Sequence, residues 1–402
     1  MADRMLKIAI VTPMLPIPHD QTRGRYIHET ARSLARIADV RVFFAQLGYL
    51  PIPGLKPRSF LTGTVGEAFR LPDIDVEAFT YTAIPVASRA LNAFVESRGL
   101  IPRLRRFSPD VAIGYWIYPD GDATVRAARA LGIPAVVGAL GSDIHVRSGM
   151  TARQTRRAIA ASDALIVVSD AMRRTAIRDF GAAPPKVHTI TNGFNASIFR
   201  PQSKDAARRE LGIDAQSKLV IYIGRLIESK GLRELIEAAR KVAETDANFR
   251  LALVGDGVMR EELVRLVSDS GLAERTLIPG GMAPAEVARW IAAADVLTLP
   301  SWSEGYPNVV VEALACGRPV VATDVGGTAE IVNETNGLLI PPHDPEALAK
   351  ALARALETRW DSNAIAAQVR RSWDDVARET LRVCEDIVAA AASRGCAAQG
   401  SA

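Results

Sequence analysis

Short apolar, β-branched runs alternate along this chain with longer helix-like patterns, and near the middle the rhythm starts afresh. Strands apolar along their whole length are buried on both faces, which calls for parallel pairing under helices on either side of a sheet. The first set of strands is expected at Leu6–Thr12, Val40–Ala45, Val111–Tyr115, Ala135–Ala139, Leu165–Ser169 and Val187–Ile190. The second set is expected at Leu219–Gly224, Arg250–Gly255, Thr276–Pro279, Val296–Pro300, Val320–Thr323 and Leu338–Ile340. A chain of 402 residues exceeds what one hydrophobic core normally organises, so two α/β lobes are expected. They are placed at residues 1–200 and 201–375, with the crossing near 193–215. Residues 376–402 are read as a helix returning toward the first lobe and a fraying tail.

Composition excludes several classes. Hydrophobic residues make up 48% and charged residues 23%, as in a globular protein. No run approaches the ~20 apolar residues of a membrane span, and the start of the chain does not read as a signal peptide, so a cytoplasmic location is expected. Cys316, Cys384 and Cys396 are too few and too scattered for a disulfide framework or a Cys-rich metal site. A net charge of +4 favours anionic ligands but is too dispersed for a nucleic-acid binder. The Pro-rich stretch Leu47–Asp73 is read as a long surface loop. Its Lys56 and Arg58, together with Arg98, Arg103, Arg105 and Arg106 among the apolar residues of 91–107, fit either peripheral contact with the inner face of a membrane or ordinary solvation.

The chemistry concentrates after two strands of the second half. Ser301–Pro319 reads as strand end, loop and short helix, with Pro307 in the first helical turn and Gly317 and Pro319 at its end. The backbone N–H groups of Asn308 and Val309, with the positive end of the helix dipole, would make an anion site. Glu304 before the helix and Glu312 within it are acceptor-only groups suited to sugar hydroxyls. Gly224-Arg225-Leu226 with Lys230-Gly231 leaves the carboxyl end of another strand, and a guanidinium with an ammonium can neutralise a diphosphate. Gly255 and Gly280-Gly281-Met282 end two further strands, where glycine lets backbone approach a nucleoside. In the first half, Gly24 follows the first strand, and Asp143 and His145 follow Ala135–Ala139. A dehydrogenase would show G-x-G-x-x-G after a strand, and neither half opens that way.

These motifs resemble glycosyltransferase family 4, retaining enzymes of the GT-B fold. Glu304 and Glu312, with seven residues between them, match its E-x7-E signature inside EGYPNVVVEALACGRPVV, and Gly224-Arg225-Leu226…Lys230-Gly231 matches its phosphate-binding element. Ile190–Gly193, Val254–Gly257, Asp295 before Leu299-Pro300-Ser301, and Val325-Gly326-Gly327…Glu330 stand in family order. The resemblance implies two Rossmann-like lobes facing a cleft and a nucleoside-diphosphate sugar as donor. It implies that Arg225 and Lys230 hold the diphosphate, Glu312 the ribose, and Glu304 the transferred sugar. Gly24, Gly224, Gly255, Met282, Gly305, Tyr306, Pro307, Asn308 and Val309 complete the donor-side set, Arg225, Lys230 and Glu304 being the catalytic members. The acceptor is expected to be a glycan or lipid-linked hydroxyl, and no metal or other cofactor is expected. Two positions depart from the family pattern: Arg23-Gly24-Arg25 stands where paired glycines are common, and Leu140 where a His is common. Asp143 and His145 are therefore the acceptor-side candidates. The competing reading is a non-catalytic nucleotide-sugar binder that keeps the fold.

Overall fold

A computed structural model describes residues 4–18, 20–49, 65–83, 90–145 and 149–399, without the side chains of Ser142, His145 and 395–399. The chain divides into two units, residues 1–192 with 373–402 and residues 193–372. The crossings thus fall at Asn192/Gly193 and Ser372/Trp373, where the sequence suggested 200/201 and 375/376.

The first unit carries β1 (Lys7–Thr12), β2 (Asp39–Tyr49), β3 (Asp75–Ala83), β4 (Val111–Tyr115), β5 (Ala135–Ala139), β6 (Ala164–Val167) and β7 (Val187–Thr189). They form one sheet, in the order β3-β2-β1-β4-β5-β6-β7, parallel throughout. The edge strand β3 was not anticipated. It pairs only with β2 and its burial alternates, so it lacks the continuous apolar run that marks the inner strands. β2 runs to Tyr49 rather than stopping at Ala45. Part of the expected surface loop is also anchored. Gln46 exchanges two hydrogen bonds with the backbone of Val65, and Phe69 packs on Phe44 at 5.8 Å between ring centres. Lys56 and Arg58 lie outside the described residues.

The helix Trp373–Gln399 belongs to this unit because Trp373, Val376, Ala377, Val383 and Cys384 recur at helical spacing and join the core of Ile8, Ile10, Ile27 and Leu34. Burial pushes the Cys384 thiol, like that of Cys316, up to about 12, so both are packing groups rather than nucleophiles. Glu96 and Asp120 are both buried and lie against one another, with Tyr81 beside Glu96. Burial holds both well above the usual carboxylate range, and for Glu96 the neighbouring Asp120 adds to it.

The second unit carries β8 (Lys218–Ile223), β9 (Phe249–Val254), β10 (Thr276–Gly280), β11 (Val296–Leu299), β12 (Val320–Thr323) and β13 (Gly337–Ile340). Their order is β10-β9-β8-β11-β12-β13, again all parallel. Both sheets are Rossmann-like. In the second the chain lays β9 and β10 on one side of β8, then returns to lay β11 on the other. The crevice between the carboxyl ends of β8 and β11 is where ligands bind in open α/β sheets. The region after Pro345 forms the helices Pro345–Glu357, Ser362–Ala367 and Trp373–Gln399, and the break before the last holds the crossing to the first unit.

Candidate active site

The loops leaving β8 and β11 are locked together through their backbones. After β8, Gly224 and exposed Arg225 lead to a single 3-10 turn, Glu228–Lys230, and then to the helix Leu232–Thr245. The Ser229 carbonyl accepts the Trp302 N–H at 2.9 Å. Gly231, at φ +64°, lies so close to Pro300 that a Cβ would sit 2.0 Å from that carbonyl oxygen. Only glycine satisfies both demands. On the far side of the second loop, Gly326 at φ +55° lies against the Glu304 carbonyl, where a Cβ would approach to 1.8 Å, and the Gly327 N–H donates to the Gly305 carbonyl at 3.1 Å. Thr323 closes the base by donating to the Ser301 carbonyl at 2.5 Å.

The consequence is a fixed meeting of two side chains expected from sequence to share a site. Lys230 Nζ lies 2.5 Å from Glu304 Oε1, with 17% and 11% of the two side chains exposed. The helix Asn308–Ala315 begins just beyond Glu304. Pro307 is its N-cap rather than a first-turn residue, and the Val310 N–H closes onto the Pro307 carbonyl at 3.0 Å. The first turn at Asn308 and Val309 still presents the positive end of a helix to the loop. Glu312, 5% exposed, sits inside that helix, Gly305 and Pro307 are buried, and Tyr306 packs on the core. Gly255 follows β9, where its N–H donates to the Gly280 carbonyl at 2.9 Å. Met282, after β10, packs partly buried against the same core, and the Asp256 carboxylate holds the neighbouring Gly281 N–H at 2.8 Å. All the second-half candidates therefore stand at one edge of one sheet.

The first-unit candidates divide differently. Gly24 caps the helix Arg25–Leu34, its carbonyl accepting from the N–H groups of Ile27 and His28. Asp143 is fully buried and accepts from the N–H groups of Leu140 at 2.9 Å, Gly141 at 2.8 Å and Ile117 at 3.3 Å. These bonds shape the turn after β5, a structural duty beside the acceptor role expected of it. The His145 side chain lies outside the described residues. Of the arginines in the helix Asn92–Phe107, Arg103 and Arg106 both pair with Glu77 of β3, at 3.1 and 2.7 Å. Arg98 and Arg105 remain exposed on a helix face with Leu91 and Phe94, which are 58% and 48% exposed.

Sequence reasoning did not single out Glu234, Trp302 or His343. Trp302 Nε1 donates to Glu234 Oε1 at 2.8 Å, and the His343 ring lies 4.6 Å from the Trp302 ring, centre to centre. The only signal available was a tryptophan beside the Glu304 motif.

Two Rossmann-like units, one with diphosphate-type cations and carboxylates at its switch point, define a glycosyltransferase of the GT-B class. Solved structures agree on the fold. Anabaena HepE, crystallised with UDP and glucose, superimposes with a TM-score of 0.74 at 21% identity over 95% of this chain and 100% of its own. Sucrose-phosphate synthase from Thermosynechococcus elongatus gives 0.76 at 21% identity over 96% and 100%. Residues 203–376 match the Glycosyl transferases group 1 family and residues 24–198 match Glycosyltransferase Family 4. The D-inositol 3-phosphate glycosyltransferase of Thermobifida fusca is 30% identical over 95% of this chain and 93% of its own length. That of Acidothermus cellulolyticus is 29% identical over 96% and 91%. A putative teichuronic acid biosynthesis glycosyltransferase of Bacillus subtilis is 30% identical over 62% of each chain. The chain belongs to glycosyltransferase family 4, group 1. Among its described residues no helix is long and apolar enough to cross a membrane.

Proposed function

We propose that this glycosyltransferase moves a sugar from a nucleoside diphosphate to an acceptor hydroxyl with retention of configuration and without a metal ion. The observation that carries this is the Lys230–Glu304 pair, fixed beside the opening of the helix Asn308–Ala315 at the switch point of the second sheet. In the reaction the acceptor oxygen bonds to the anomeric carbon as the bond to the diphosphate breaks. The leaving phosphate oxygen takes the acceptor's proton, and nucleoside diphosphate departs. Negative charge grows on that phosphate, so Arg225, Lys230 and the helix N-terminus act where preorganised donors matter most. Glu304 orients the sugar hydroxyls and Glu312 the ribose.

Turnover of a panel of UDP-, GDP- and ADP-sugars tests this reading. We put phosphorylated cyclitols first among acceptors to try, a choice supported by the relatives named for D-inositol 3-phosphate, and surface glycans second, supported by the relative named for teichuronic acid biosynthesis. Transfer is expected to proceed in EDTA and to give an α-linked product from an α-linked donor by NMR. Loss of activity in EDTA, restored by Mg²⁺ or Mn²⁺, refutes metal independence. Nucleotide binding without transfer across the acceptor panel favours the non-catalytic alternative.

The same reading places the acceptor at a membrane surface, with Leu91, Phe94, Arg98 and Arg105 as the contact. Their support is an exposed helix face that is apolar at one end and cationic at the other, and each well-placed cation adds roughly 1 kcal/mol at anionic lipid. The protein is expected to sediment with anionic liposomes at low salt, and less so as the double variant Arg98→Ser/Arg105→Ser. Wild type left in the supernatant rules the contact out.

A further inference from the structure

Lys230 and Glu304 can act together only while the loops that carry them keep their register, and the backbone links at Ser229 and Gly231 reach only as far as Trp302. Glu304 stands two residues beyond. Gly326 and Gly327 meet Glu304 and Gly305 from the far side, and on the side of the Lys230 loop the stretch is held by a side-chain cluster drawn from three parts of the chain. The Trp302 indole N–H donates at 2.8 Å to Oε1 of Glu234, which sits in the first turn of the helix that follows the Lys230 loop. His343, in the connection after β13, lies tilted by 38° against the other side of the contact, 4.6 Å between ring centres, with Nδ1 3.4 Å from the same Glu234 oxygen. Its backbone is at φ +59°, a region a non-glycine residue keeps only where its surroundings impose it. Glu234 Oε2 is buried and accepts no hydrogen bond. One carboxylate oxygen is thus committed to the tryptophan and histidine.

We propose that Glu234, Trp302 and His343 are positioning residues that hold the Glu304 loop against the Lys230 loop, so that carboxylate and ammonium meet the donor in one fixed geometry. This rests on the donor-site reading above. None of the three is assigned contact with substrate. They act through Glu304, whose placement matters most when charge develops, because small misplacements of reacting groups cost rate far more than binding.

The test uses the full chain and its intrinsic hydrolysis of UDP-glucose and GDP-mannose, with affinity for UDP and GDP measured separately. Trp302→Phe keeps an aromatic ring beside His343 but removes the indole N–H. It is expected to lower kcat on the order of tenfold with nucleoside diphosphate affinity within about twofold of wild type. Glu234→Ala should match it, while Glu234→Gln, whose amide oxygen still accepts from the indole, should recover most of the rate. Equal kcat for wild type, Trp302→Phe and Glu234→Ala overturns the proposal. A fall in nucleotide affinity as large as the fall in kcat, or a Glu234→Gln variant as slow as Glu234→Ala, also overturns it. Failure of the donor reading looks different: wild type itself then neither binds nor cleaves these donors.

Discussion

Lys230→Ala is expected to lower turnover ~10²-fold or more, because one preorganised donor aimed at developing charge typically contributes ~3–4 kcal/mol to the transition state. The geometry sharpens the expectation. Lys230 Nζ lies 2.5 Å from Glu304 Oε1, so on the proposed roles its loss removes the diphosphate cation and also frees the carboxylate that orients the sugar. Arg225→Ala serves as the companion. Arg225 is exposed, so its removal should cost rate without costing stability. Glu304→Gln should reduce transfer while leaving nucleoside diphosphate affinity near that of wild type. Glu312→Gln should chiefly weaken nucleotide binding, since that residue sits inside the helix whose first turn is proposed to meet the phosphates. Steady-state rates alongside calorimetric affinities separate the four variants. A Lys230→Ala enzyme within a few-fold of wild-type kcat would remove this residue from the chemistry, and exchanged behaviour of the two glutamates would exchange their roles.

The parts of this site that sequence made legible are those fixed by short-range backbone demands. A glycine that must lie against the backbone carbonyl of a neighbouring segment leaves a local signature, and Gly231 and Gly255 carry it. So does the helix opening after Pro307, where a proline, a glycine ten residues further on and a framing glutamate fall within one segment. The cluster at Trp302 left no such trace. Its partner Glu234 is 68 residues away along the chain, and His343 lies in a connection that composition alone marks as unremarkable. β3 was illegible for a different reason. Asp75–Ala83 alternates like a half-exposed strand and follows a Pro-rich segment, and only pairing with β2 identifies it. Asp143 shows the reverse hazard. An acidic residue after a strand looks chemical, yet its bonds to the N–H groups of Leu140, Gly141 and Ile117 are ones that a helix-capping or turn-forming role would use.

The stretch 201–212, beside the crossing that the sequence places near 193–215, carries a buried guanidinium with several partners. Arg208, in the helix Lys204–Leu211, is 2% exposed. It donates to the Ala293 carbonyl at 2.9 Å, the Ala215 carbonyl at 2.7 Å and Asp295 Oδ2 at 2.7 Å. Asp295 in turn accepts from the Leu219 N–H at 2.7 Å and pairs with Lys204. One carboxylate therefore joins that helix to β8, whose end bears Arg225, and to β11, whose end leads to Glu304. Arg208→Ala strands these acceptors in a buried site, and removing one partner of a buried pair typically costs ~3–5 kcal/mol. We expect that loss in the unfolding of the second unit, followed by far-ultraviolet circular dichroism in urea. Arg208→Lys should recover little of it, because an ammonium cannot reproduce a planar fork that reaches three acceptors. The double variant Arg208→Ala/Asp295→Asn should be less destabilised than the sum of its single variants, since the two residues share one bond network. Strictly additive losses, or an Arg208→Ala protein as stable as wild type, would mean that apolar burial alone seats this helix, and that the carboxylate at the start of β11 has no part in holding the two catalytic strands side by side.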